Sequence, residues 1–180
     1  MPLWLETPRL RLRPFQDADL EAFLAYRNDP AVARYQGWEM PYTRAMAEDF
    51  IAVMKTRTPD LPGKWLQLAV EAKATGVLIG DVAFYLLEGD LRQAEIGFTL
   101  ATAYQRQGYA TEAVRRLLAH LFEEKGLHRV RANCDDRNLA SVRLMERLGM
   151  RREAHYIENF WDGEGWAGEY WYALLRREWG

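Results

Sequence analysis

Gln105, Arg106, Gln107, Gly108, Tyr109, Ala110 and Thr111 lie between a short apolar strand candidate, residues 94–100, and an amphipathic helix that opens near Tyr109. A loop at a helix start offers backbone N–H groups with no intrahelical acceptor, together with the positive end of the helix dipole. Those are the requirements for holding a diphosphate. Gly108 suits the task, since a side chain there would obstruct close approach of the backbone to an anion. The same glycine also serves a plain strand-to-helix turn, and the loop by itself does not choose between the two. A Walker A loop would require Gly-x-x-x-x-Gly-Lys-Ser/Thr, and no such string occurs. A Rossmann fingerprint is a weaker rival: it requires three spaced glycines where this loop has Gly108 and then Ala110, although Asp135 after the next strand imitates the ribose-binding acid.

The elements that must carry this loop follow from periodicity. Leu10 and Leu12 alternate with Arg9, Arg11 and Arg13, which predicts a half-buried first strand with arginines on the wet side. Residues 17–27 read as a helix ended by Asn28, Asp29 and Pro30. Thr43 is placed to cap a second helix reaching Lys55, with Met46, Phe50, Val53 and Met54 on its apolar side. Two prolines and a glycine make residues 58–64 a loop. Strands at residues 65–71 and 77–87 form a hairpin, and Glu88, Gly89 and Asp90 turn the chain into the strand at residues 94–100. Ala110, Ala113, Val114, Leu117, Leu118, Leu121 and Phe122 then recur at helical spacing, and Gly126 stops that helix. A strand at residues 128–134, a helix capped by Asn138 and closed by Gly149, and strands at residues 154–160 and 166–175 complete the chain. The strand–helix–strand stretch at residues 94–134 should cross over right-handed and parallel. The expectation is a mixed α/β (α+β) fold, one domain over residues 1–180, with a largely antiparallel sheet and helices on both faces.

Composition narrows the function. The chain has 180 residues, 49% of them apolar, and a formal charge of -2, so no global basic field points to nucleic acid. No apolar run is long enough to span a bilayer, and the first residues lack the basic and apolar regions of a signal peptide, so a cytoplasmic protein without membrane partners is expected. The single Cys134 excludes an internal disulfide, and His120, His128 and His155 have no metal-ligand spacing. No metal is expected.

Gln105-x-x-Gly108-x-Ala110, following the strand Ala94-Glu95-Ile96-Gly97-Phe98, resembles the pyrophosphate-arm signature of the GNAT N-acetyltransferase superfamily. Asn138-Leu139-Ala140-Ser141 and Arg147-Leu148-Gly149-Met150 resemble its second cofactor helix. Thr7-Pro8-Arg9-Leu10-Arg11-Leu12-Arg13 and the closing Tyr172-Ala173-Leu174-Leu175 with Glu178 and Trp179 resemble the branch of ribosomal-protein N-terminal acetyltransferases. The anchors run in order along nearly the whole chain. The resemblance implies the GNAT fold, splayed at its cofactor strands, and acetyl-CoA as cosubstrate. It implies pantetheine along Phe98, Thr99 and Leu100, diphosphate on amides from Gln105 or Arg106 through Thr111, a hydrogen bond from Asn138, and Arg106, Arg137 and Arg143 as candidates for the nucleotide phosphates.

Acetyl transfer to an amine needs a proton acceptor, a donor for the developing oxyanion and a leaving thiolate, with no protein nucleophile. A backbone N–H near Leu100 is the natural oxyanion donor where the strand splays. Glu95 resembles the glutamate that related histone acetyltransferases carry on this strand and is the expected base; the alternative is a structural acid paired with an arginine such as Arg92. Alternation puts Glu95, Gly97 and Thr99 on one face and Ile96, Phe98 and Leu100 on the other. Many family members have a tyrosine where this chain has Met145, which leaves Ser141 to assist the leaving group or to touch the cofactor. Between Glu153 and Leu175 stand Glu153, Glu158, Asp162, Glu164 and Glu169, with seven aromatic residues and no lysine or arginine, a composition suited to a cationic amine. Glu169, with Tyr35 and Trp38 across the cleft, is the expected acceptor site. The expected acceptor is a protein or peptide N-terminal amine. A small polyamine, amino acid or aminoglycoside, or a non-catalytic acyl-CoA-binding module, is the alternative. A homodimer is compatible with all of these.

Overall fold

The computed structural model describes residues 2–59 and 61–180. Met1, and Asp60 in the loop expected at residues 58–64, lie outside the described residues. Strands β1 (Leu5–Glu6) and β2 (Leu10–Arg13) precede helices α1 (Leu20–Arg27), α2 (Pro30–Ala33) and α3 (Arg44–Thr56). Then come β3 (Leu66–Ala72), β4 (Val77–Leu87), β5 (Asp90–Leu100), α4 (Tyr109–Ala119), β6 (Arg129–Asp135), α5 (Leu139–Arg147), β7 (Arg151–Trp161) and β8 (Trp166–Leu175). They build one open eight-stranded sheet in the order β1-β2-β3-β4-β5-β6-β8-β7. Every neighbouring pair is antiparallel except β5–β6, the expected parallel crossover.

Local chemistry accounts for the boundaries. Thr43 Oγ1 accepts from the Met46 amide at 3.2 Å and starts α3, and Asn138 Oδ1 accepts from the Ser141 amide at 3.2 Å and starts α5. Asp29 caps the short α2, with Pro30 at its first position, a signal that reads equally as a helix stop. The segment Asp17–Asp19 is a 3-10 turn leading into α1. The apolar stripe of α4 is buried from Ala113 to Phe122, and its last turn, His120–Glu124, widens to π geometry before Gly126 at φ +70°. On α3 the buried residues are Ala47, Ile51 and Met54; Val53, expected on that side, faces solvent at 44% exposure because it sits a quarter-turn from the stripe.

Two cores flank the sheet. Leu117, Leu118, Phe122, Met145, Val130 and Tyr172 belong to the larger one, between the sheet and α4–α5. Phe15, Phe23, Tyr26, Ile51, Ala69 and Leu78 form the smaller one, under α1–α3. The smaller core ends at β4 and its connections, so the same face of β6, β8 and β7 carries no helical layer.

Arg13 departs from the expected wet side. It is 3% exposed, with both terminal nitrogens 2.8 Å from Asp19 and Nε 2.6 Å from Glu71. Its partners come from a turn and from the neighbouring strand, which alternation cannot reveal. Arg13→Ala would leave the buried Asp19 carboxylate without its guanidinium and Glu71 with Arg11 alone, and is expected to destabilise the fold by about 3–5 kcal/mol in denaturant titrations. Burial raises the Glu71 carboxyl, yet the Arg13 and Arg11 guanidiniums hold it below its usual 4.5. Since the folded value is the lower one, this contribution is complete above about pH 4.5 and fades as acid protonates the native carboxylate.

Candidate active site

The sheet parts where the sequence places its chemistry. β5 and β6 share only the rungs Gln93↔Arg129, Ala94↔Val130 and Glu95↔Arg131. Beyond them β5 stays with β4 as far as Gly80↔Leu100, and β6 follows β8 as far as Asp135↔Glu169. A Cβ on Gly80 would lie 2.2 Å from the Thr99 carbonyl oxygen, so glycine there lets β4 hold β5 closely along the parted stretch. The Ala101 amide donates to the Ile79 carbonyl at 2.9 Å, which fixes the alternation of backbone groups. Thr99 and Gly97 turn theirs toward β4, whereas Leu100, Phe98 and Ile96 turn theirs into the gap. Of the three residues expected along pantetheine, Phe98 and Leu100 thus turn backbone groups to the gap, and Thr99 does not. Leu100 has its carbonyl engaged by Gln105 Nε2 at 3.0 Å, leaving its N–H facing the gap.

At the mouth of the gap lies the glycine loop. Gly108 has φ +81° and Arg106 φ +60°, and Gly108 is the N-cap of α4. Gln105 does not join a cradle through its amide, which already donates to the Thr102 carbonyl at 3.2 Å. The amides of Arg106, Gln107, Gly108, Tyr109, Ala110 and Thr111 have no acceptor among the described residues, while Glu112 begins the helical ladder by donating to Gly108. Six amide donors without acceptors at the positive end of a helix fit a diphosphate. Arg106, in the loop, and Arg143, on α5, are exposed and have no side-chain hydrogen bond or ion pair among the described residues. Arg137 is not available: it pairs with Asp135 at 2.5 Å and Asp162 at 2.7 Å, clamping β6 to the β7–β8 turn and pulling the Asp162 carboxyl down to about 2. Arg147, unremarked as a ligand in the sequence, reaches Thr111 Oγ1 at 3.4 Å.

A cavity of about 850 Å³ runs through the gap to the face bearing α1. Tyr35, Trp38, Phe98, Thr99, Asn138, Ser141 and Glu169 all line it, together with Arg27, Gln67, Asp81, Asn133 and Cys134. Asn138 has its carbonyl oxygen committed to capping α5, which leaves its amide group to donate. Trp38 is fixed by donating to the Arg27 carbonyl at 3.0 Å and by the Arg27 guanidinium stacked 3.9 Å from its ring. Burial pushes the Cys134 thiol up to about 12, so it carries no thiolate at neutral pH. Met145, at 0% exposure, is a core residue and does not face the cavity.

Glu95 stands apart from that lining. Its Oε2 takes hydrogen bonds from Arg131 and from the Tyr85 hydroxyl, each at 2.9 Å, on the last rung before the strands part. Its arginine partner is Arg131 and not Arg92, which is engaged by Asp90. Two buried carboxylates do line the cavity, Asp135, which is paired with Arg137, and Asp81. Asp81 sits on the rung opposite Thr99, accepting from Tyr26 at 2.5 Å and Gln67 at 3.0 Å, with Arg27 at 3.7 Å. Burial and the neighbouring Asp81 charge raise the Tyr26 hydroxyl well above 10, so Tyr26 keeps its proton as a donor. A charged residue in the middle of Val77-Leu78-Ile79-Gly80-Asp81-Val82-Ala83-Phe84 was the sequence signal for it.

Among the described residues, no group of three or more His, Cys, Asp or Glu side chains is arranged to hold a metal ion, and no helix is long and apolar enough to cross a membrane. A parted sheet edge leading from bare helix-start amides to an acidic pocket is the site of an acyltransferase that takes its acyl group from a nucleotide-tailed thioester. Residues 9–151 match the acetyltransferase (GNAT) domain, and the chain belongs to that family. It is 34% identical over 175 residues to an uncharacterized N-acetyltransferase, YnaD, of Bacillus subtilis (strain 168), covering 97% of this chain and 98% of that one. A GNAT-family acetyltransferase from Bacillus anthracis superposes with a TM-score of 0.85 at 30% identity, covering 98% of this chain and 100% of that one. A spermidine N-acetyltransferase from Vibrio cholerae, crystallised with CoA and spermine, shares the fold at a TM-score of 0.81 and 22% identity, covering 96% and 98%. The chain is an acetyl-CoA-dependent N-acetyltransferase.

Proposed function

We propose that this enzyme acetylates the N-terminal α-amine of a protein or peptide. The observation that carries the reading is Glu169. Its carboxylate is held by three neutral donors, Asn133, Asn159 at 3.1 Å and Trp171 at 2.9 Å, and forms no ion pair among the described residues. It stands where the main cavity meets a second one of about 370 Å³, lined by Arg131, Tyr156, Asn159 and Trp171 on the helix-free face. An uncompensated carboxylate at that junction suits an ammonium group, and the continuing groove suits a chain attached to it.

In this reading acetyl-CoA supplies an activated acetyl group when bound. Glu169 and the walls Tyr35 and Trp38 orient the amine, Asp81 in place of Glu95 accepts its proton, and the Leu100 N–H faces the developing oxyanion. Ser141 offers a hydroxyl on the α5 wall. The test is a panel of short peptides and small amines read by mass spectrometry. Acetylated peptides with free N-termini are expected, and Glu169→Gln is expected to raise their KM about 10- to 100-fold, the loss of a charge-assisted hydrogen bond worth about 1.5–3 kcal/mol. Turnover of small diamines but of no peptide would overturn the assignment.

A further inference from the structure

A helix that receives a diphosphate at its N-terminus has no obvious use for an acid in its first turn, yet α4 carries Glu112 there. The carboxylate adds negative charge where the bound phosphates need it least. Three donors from the N-terminal segment engage it. Thr7 Oγ1 lies 2.6 Å from Oε1, the Arg9 amide 3.0 Å from Oε1, and Arg9 Nε 2.6 Å from Oε2. The rest of Arg9 acts on the loop itself. Nη1 donates to the Gln107 carbonyl at 3.1 Å, the guanidinium lies 4.3 Å from the Tyr109 ring centre, and a Cβ on Gly108 would come 3.3 Å from Nη2. One arginine, a hundred residues away in sequence, thus touches three consecutive loop residues and the first-turn acid.

We propose that the Thr7–Arg9 segment is part of the acetyl-CoA site, with Arg9 as a positioning residue. It holds the two left-handed residues, Arg106 and Gly108, in the shape that aims the amides, and it cancels Glu112. The cofactor site is then assembled only when the N-terminal strand is docked on α4. The inference rests on the family's use of acetyl-CoA and is independent of which amine is the acceptor.

The test compares Arg9→Met, Glu112→Gln and the double variant by calorimetric titration with acetyl-CoA. Arg9→Met is expected to weaken binding at least tenfold, with the loss appearing in KM rather than kcat. Adding Glu112→Gln should recover several-fold of that loss, because the uncancelled carboxylate is gone. Glu112→Gln alone keeps the acceptor oxygen for Thr7 and is expected to bind at least as tightly as the parent, which also serves should Arg9→Met fold poorly. Acetyl-pantetheine, which lacks the diphosphate, should distinguish the parent from Arg9→Met hardly at all. Unchanged acetyl-CoA affinity in Arg9→Met, an equal loss with acetyl-pantetheine, no recovery in the double variant, or a tenfold loss in Glu112→Gln alone would each overturn the proposal.

Discussion

Gly108→Val is expected to leave the protein folded while weakening acetyl-CoA binding by roughly 100-fold, or about 2.7 kcal/mol. Gly108 holds φ +81°, a conformation that costs an L-residue about 1–2 kcal/mol and a β-branched one more. The new side chain would also begin 3.3 Å from Arg9 Nη2. The loop then either keeps its shape under strain, with a branched side chain standing before the amides, or relaxes and turns those amides away. Both routes weaken the cofactor and leave the α4 core untouched. Gly108→Ala, without the branch, should lose roughly tenfold, in keeping with the strain alone. Titration calorimetry on the two variants reads the effect directly. Parent-like affinity in Gly108→Val would remove the loop from the site.

The second large effect is expected at Asp81. Asp81→Asn preserves shape but removes the proton acceptor beside Thr99, and kcat should fall about 10²- to 10⁴-fold, the range of a lost general base. Acetyl-CoA affinity should stay near the parent's, because Asp81 bonds to α1 on one face of the sheet while the bare amides start α4, which packs on the other. Glu95→Gln makes the contrast: it disturbs a rung held by Arg131 and Tyr85 and should lower kcat by less than about tenfold. If kcat falls about 100-fold or more in Glu95→Gln and stays near the parent's in Asp81→Asn, the base is Glu95 after all.

These two residues show how far the sequence could be read. Gly108 was legible as a strand-to-helix turn because that need for glycine is local, while its left-handed φ of +81° was visible only in the structure. The α4 stripe, the two side-chain caps and the parallel crossover were legible for the same reason, each being set by neighbours within a few positions or by a general rule of handedness. Glu95 was legible as to strand and face, but its partner Arg131 lies on a strand 36 residues later, and pairing decided its surroundings. Arg13 looked like a wet residue until Asp19 and Glu71 closed on it. Val53 and Met54 were one step apart in a helical pattern, and only packing against β3 chose between them. Arg9 is the extreme case, since nothing local connects a strand residue near the start with a loop beyond residue 100. Asp81 was visible as an acid in an apolar strand, a signal that deserved a functional reading from burial cost alone.

Crystals grown with acetyl-CoA provide the most direct measurement. Diphosphate oxygens are expected about 3 Å from amide nitrogens of residues 106–111, with pantetheine against Phe98 and Leu100 and the acetyl carbonyl at the Leu100 N–H. Cofactor density elsewhere, or those amides bonded within the protein while acetyl-CoA occupies another groove, would contradict the assignment.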